Sequence, residues 1–203
     1  MKRKTFDLVL TAGGAALMVV LVVAGVLLMW GASFANSNVH NQLSEQAITF
    51  PPKAAFATAK AGTEITPGMI PYLEQYAGQQ LTTGAQAEAY ADHFIAIHLQ
   101  EIGGGLSYAQ LSANARALTP GTPAATKAEA TVQTVFQGTT LRGLLLEAYA
   151  FGTFGQIAFI AGIAAFILAG VMLFLTVLGL WHFRKVPSDV EFPQQHAKVL
   201  VDA

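Results

Sequence analysis

The stretch YADHFIAIHLQEI, residues 90–102, gathers Asp92, His93, His98 and Glu101 within ten residues. Imidazoles and carboxylates are the side chains that hold divalent metals and move protons near neutral pH. Two arrangements would make a site of them. A facial triad for non-haem iron needs two histidines and one carboxylate converging. A metalloprotease helix needs histidines at i and i+4 on one face, with glutamate beside the first. Counting about 100° per residue from Ala91, the residues Phe94, Ile95, His98, Leu99 and Ile102 fall within roughly 80° of it on either side. His93 falls about 200° round, beside Gln100. The histidines are five apart, so an ideal helix points them to different faces. His98 is therefore expected as a hydrogen-bonded histidine in a helical core or at an interface, and His93 as a solvated one. His40 would have to come from a distant segment, and nothing in the sequence brings it. No catalytic, cofactor-binding or metal residue is assigned, and no cofactor is expected. A metal-dependent enzyme using His93, His98 and a carboxylate remains the alternative reading.

Other chemistries find less. The absence of cysteine removes disulfides, thiol nucleophiles, cysteine-ligated iron–sulfur clusters and covalently attached haem. There is no G-x-S-x-G elbow and no Walker loop. The triplet Gly103-Gly104-Gly105 has no lysine after it and no strand before it, so it reads as a helix stop rather than a phosphate cradle. The formal net charge of −1 and the apolar composition argue against a nucleic-acid partner.

The elements around the segment are set by two apolar runs. Charged residues are 11% of the chain, against roughly 25% in a soluble domain. The shortfall lies in Leu8–Trp30 and Ile157–Trp181, which contain no charged residue. At about 1.5 Å per residue each run crosses a hydrocarbon core of roughly 30 Å. One charge at mid-membrane costs about 2.5–3.5 kcal/mol on insertion scales, so such runs predict transmembrane helices over 8–33 and 153–182. The first run exceeds the roughly 7–15 residues of a signal-peptide core, and an uncleaved anchor is expected. Neither run contains a histidine for an embedded haem or a charge for a proton path.

Lys2, Arg3 and Lys4 precede the first run, and Arg184 and Lys185 follow the second. The positive-inside bias then puts both termini, 1–7 and the tail 183–203, in the cytoplasm of a cell-membrane protein. Residues 34–152 become a helical extracytoplasmic domain. Trp30 and Trp181 would mark the two membrane boundaries. The expected fold class is all-α, two transmembrane helices flanking that domain.

Within the outer segment, NSNVHNQL reads as a polar turn, and Pro51-Pro52 as an extended passage. Pro67 and Pro71 frame a short helix, with Gly78 as its cap. Capping boxes at Thr83/Gln86, Ser107/Gln110 and Thr126/Glu129 predict three further helix starts. In the second apolar run Ala158, Ala161, Gly162, Ala165 and Ala169 form one small-residue side, a candidate helix-packing interface. Its occupant is either a partner subunit or the chain's own first span, where Ala12, Gly13 and Ala16 are available.

The segments FANSNVHNQLSEQAITFP, YAGQQLTTGAQAEAYADHFIAIHL and TLRGLLLEAYAF resemble signature segments of a small actinobacterial two-span membrane family. The likeness runs to the end of the second apolar run. Members often carry a ring-opening-dioxygenase label, which the ligand geometry above does not support. The resemblance also implies association with the actinobacterial cytochrome bcc–aa3 respiratory supercomplex. It brings no catalytic residues. The expected function is a non-catalytic accessory subunit of a larger membrane complex, with cytochrome oxidase or reductase subunits as partners. A ligand-sensing outer domain is a further alternative, which the short tail disfavours.

Overall fold

The computed structural model describes residues 3–185, and among these it is helical with no strand. The expected tail lies outside the described residues from 186 onward, as do residues 1 and 2. The elements run α1 (Arg3–Glu45), α2 (Lys53–Ala57), α3 (Ile70–Leu73, flanked by 3-10 turns), α4 (Gly84–Tyr90), a π turn (Ala91–Ile95), α5 (Ala96–Ile102), α6 (Tyr108–Arg116) and α7 (Pro123–Lys185). Two of them, of 43 and 63 residues, are long and apolar enough to cross a membrane. The chain divides into two compact units: one holds the N-terminal part of α1, to Trp30, and α7 from Ala158, and the other spans Gly31–Ile157.

In the first unit the apolar side chains face outward. Only 6% and 17% of the most apolar windows of α1 and α7 are buried, whereas a core helix of a soluble protein is mostly covered. Leu10, Leu27, Ile167 and Phe174 each expose more than 60% of their surface. What is buried between the helices is small, namely Thr11, Gly25, Gly162, Ala165 and Ala169. Lys185 Nζ sits 3.7 Å from the Trp181 ring centre and Lys4 Nζ 5.2 Å from that of Phe183, so both cations rest on aromatic faces.

The second unit has a conventional core. Val39, Leu43, Phe50, Phe56, Ile65, Met69, Leu73, Leu81 and Ile95 form one cluster with the alanines of α4 and with Leu145 of α7. Polar NSNVHNQL is not a turn: α1 continues through it to Glu45. Asparagine and serine are poor helix formers, yet Ala35, Val39 and Leu43, spaced by four, are all buried, and that packing overrides propensity. The helix ends with Ala47 in the left-handed region (φ 52°), a conformation usually left to glycine.

Pro52 is extended, as expected (φ −67°, ψ 155°). The passage pairs with the segment after α3: Phe50 N–H donates to Gln79 O (2.9 Å), Leu81 N–H to Ile48 O (2.8 Å) and Gly78 N–H to Pro51 O (3.0 Å). Gly78 has φ +70°, so its lack of a Cβ permits that turn. The boxes at Thr83/Gln86 and Ser107/Gln110 both form. The third start is displaced. Thr122 Oγ1 accepts from Ala125 N–H (3.2 Å), so Thr122 is the cap and Pro123 the first helical residue, while Thr126 sits inside α7. Proline suits that place because its missing N–H would have had no partner there.

Candidate functional site

Residues 90–102 are not one ideal helix. The π turn at Ala91–Ile95 sits between α4 and α5 and contains both Asp92 and His93. Hydrogen bonds to i+5 place about one extra residue in such a turn, so it shifts the phase of the residues after it. Ala91 and Ile95 remain in the core, with Phe94 and Leu99 packed against it. Ile102, expected on the same face, is 48% exposed. His98 is half-buried, at the margin of the core. Its Nδ1 lies 2.8 Å from Phe94 O one turn back, and its ring lies 4.5 Å from that of Phe94. The hydrogen bond expected of His98 is present, but within its own helix.

His93 is half-buried rather than solvated. Its ring stacks on Tyr72 with centroids 3.5 Å apart and planes 3° from parallel. Asp92 Oδ1 accepts a hydrogen bond from Arg142 Nη2 at 2.6 Å, an ion pair whose side chains are about one-third exposed. Arg142 Nε is buried without a partner. Leu99 presses on α7 at Gly138, where a Cβ would come within 2.5 Å of Leu99 Cδ2, so any side chain there would force the Leu99 side chain to move. Three of the four chemistry-bearing residues of the stretch thus have a structural contact: Asp92 ties the π turn to α7, His93 covers Tyr72, and His98 closes a turn of helix, while Glu101 is exposed. Neither Tyr72 nor Arg142 was legible as a partner, because they lie 21 and 50 positions away with no linking pattern. Among the described residues no three metal-ligating side chains lie close enough to share an ion.

Tyr90, at the head of the stretch, has its pKa raised above 10.0 by burial and, secondarily, by the charge of Glu64. Its ring meets Phe50 edge-on at 5.4 Å. Gln86 anchors the start of α4 from a buried position: its Oε1 accepts from Thr82 N–H (2.8 Å) and Thr83 N–H (3.1 Å), and its Nε2 donates to Gln79 Oε1 (3.0 Å).

The small-residue side of α7 faces α1 within the first unit. A Cβ on Gly162 would lie 3.1 Å from Met29 Cγ and Sδ and 3.4 Å from Gly25 O. Ala165 and Ala169 are buried one and two turns on, and Ala158 and Ala161 are half-buried. Lower down, Gly14 opposes Met172 and Thr176, and Gly179 opposes Thr11. The α1 residues at the seam are therefore Thr11, Gly14, Gly25 and Met29, whereas Ala12, Gly13 and Ala16 are exposed.

A concavity of about 470 Å³ lies wholly in the Gly31–Ile157 unit, where α4 crosses α7. The crossing is close: a Cβ on Gly84 would stand 3.2 Å from Tyr149 Cα, and one on Gly152 3.5 Å from Gly84 Cα. Asn36, His40, Thr83, Tyr149, Thr153 and Gln156 open into the crevice, and no charged side chain lines it. No protein-family model, curated protein or solved structure matches this chain.

Proposed function

We propose that the chain is a non-catalytic accessory subunit of a larger membrane complex, anchored by two transmembrane helices. In this reading both termini are cytoplasmic, and residues 34–152 brace or cover a partner outside the membrane. The observation that supports it best is the outward-facing apolar surface of α1 and α7, which needs lipid or further helices around it. The outer unit offers a second surface. Tyr108 and Phe136, with rings 5.6 Å apart, are more than 40% exposed, and Ile102 and Leu106 are exposed as well. Exposed aromatic and aliphatic residues of this kind supply the apolar centre of a protein interface. The resemblance of the sequence to a small actinobacterial two-span family points to the cytochrome bcc–aa3 supercomplex as the assembly.

The test is purification from the native membrane in mild detergent through a tag on the C-terminal tail. Recovery of cytochrome-bearing subunits in fixed ratio is expected. Recovery of the chain alone would remove the proposal. Stoichiometric metal in that lone sample, lost in His98→Ala, would put the enzyme reading in its place.

A further inference from the structure

We propose that the crevice between α4 and α7 binds the glycosyl headgroup of a membrane lipid. Asn36, His40, Tyr149 and Gln156 open into it, and among the described residues none of these four side chains is hydrogen-bonded to another part of the chain. Amides and an imidazole can both donate and accept, which matches hydroxyl groups that do the same. Tyr149, 40% exposed, adds a ring on which the C–H face of a sugar can lie. The crevice holds neither lysine nor arginine to pair a phosphate, and neither aspartate nor glutamate to attract a cation. A neutral polyol is the chemistry that remains.

Depth selects the source of that polyol, and this step rests on the reading that the apolar helices span a membrane. Gln156 immediately precedes the apolar run that begins at Ile157, and Asn36 follows Trp30 by six residues. At 1.5 Å per residue that places the two amides within about 9 Å of the hydrocarbon edge. The headgroup layer is about 5–8 Å deep on each side. His40, one turn beyond Asn36, calls for a headgroup that reaches further than glycerol, as a sugar does.

The full chain, reconstituted in phosphatidylcholine nanodiscs doped with either a diglucosyl diacylglycerol or phosphatidylglycerol, provides the test, with bound lipid counted by native mass spectrometry. The expected result is retention of about one glycolipid per chain in preference to phosphatidylglycerol, falling about tenfold in Asn36→Ala/Gln156→Ala. Both residues are exposed, so the fold should be kept. Gln75→Ala, an exposed amide elsewhere, should retain the lipid as the parent does. Equal retention of both lipids, or glycolipid retention unchanged in the double variant, would overturn the assignment. Free diglucose binding as tightly as the lipid would overturn the lipid source. Failure of the chain to stay in the nanodisc through an alkaline wash would instead fail the membrane reading, and the depth argument with it.

Discussion

The two units bury opposite kinds of residue. Between residues 31 and 157 the most deeply covered side chains are large: Phe50, Met69, Leu73, Leu81 and Leu145 are each less than 2% exposed. In the unit formed by the N-terminal part of α1 and the C-terminal part of α7, glycine and alanine are covered, while phenylalanine, leucine and isoleucine face out. Water explains the first pattern, since each large side chain removed from it contributes about 1.5–3 kcal/mol. A lipid surrounding, in the membrane reading proposed above, would explain the second. Hydrocarbon is as comfortable for leucine as a protein interior is, so helices there associate only by close contact, and small residues allow it.

The comparison can be broken most forcefully at Leu73. Truncating this fully buried side chain to alanine should lower the stability of the 31–157 unit by about 2–5 kcal/mol. Amide hydrogen exchange across residues 84–102 of the full chain would report it, and the pairing of α1 with α7 near Gly162 should not change. If both units loosened together, the division into two separately packed bodies would fail.

A smaller effect is expected from Gly162→Leu. The new side chain would enter a seam where a Cβ alone already stands 3.1 Å from Met29, an overpacking of the kind that costs about 1–3 kcal/mol. Energy transfer between probes on the two helices should drop, while exchange in the 31–157 unit stays as it was. Gly170→Leu, at a position with nothing within 4 Å, should leave the transfer intact. An equal loss at both glycines would mean that helix propensity, not close approach, governs the pair.

The smallest effect sharpens the account of the core of the 31–157 unit. Tyr90 stays neutral in the folded chain beyond its ordinary pKa of 10.0, mainly through burial and then through Glu64. Its contribution to stability is therefore complete below pH 10 and is lost as pH rises through the raised folded value, because the unfolded chain ionises first. Tyr90→Phe should flatten that part of the alkaline decline and leave the neutral region nearly unchanged. An identical alkaline slope in the variant would assign the decline to other groups.

Much of this organisation can be read from local sequence. The apolar runs, the starts at Thr83 and Ser107, and the stop at Gly103–Gly105 depend on residues within a few positions of one another. Thr122 does not stand out by spacing, because Ala125 stands three residues on where a capping box needs Glu or Gln, whereas Thr126 with Glu129 offers the full pattern one turn later; Pro123 is what favours the earlier start. The helical course of NSNVHNQL depends on what Val39 and Leu43 touch, which no local rule supplies. The site was the least legible part. Counting faces at about 100° per residue presumes uniform turns, which the π turn breaks. The contacts of His93 and Asp92 come from Tyr72 and Arg142, both remote in sequence.

The π turn makes Ala91–Ile95 a splice between two helices in different phase, joined without a loop. Upstream, Ala87 and Ala89 must stay in the core; downstream, Leu99 must stay packed against it. The surplus residue absorbs the mismatch between those two demands. Removing one residue there would leave an unbroken α-helix, yet it would swing one half by about 100° relative to the other. Either Leu99 would leave Gly138, or the alanines would leave the core. A deletion that perfects the local geometry would thereby undo the global one.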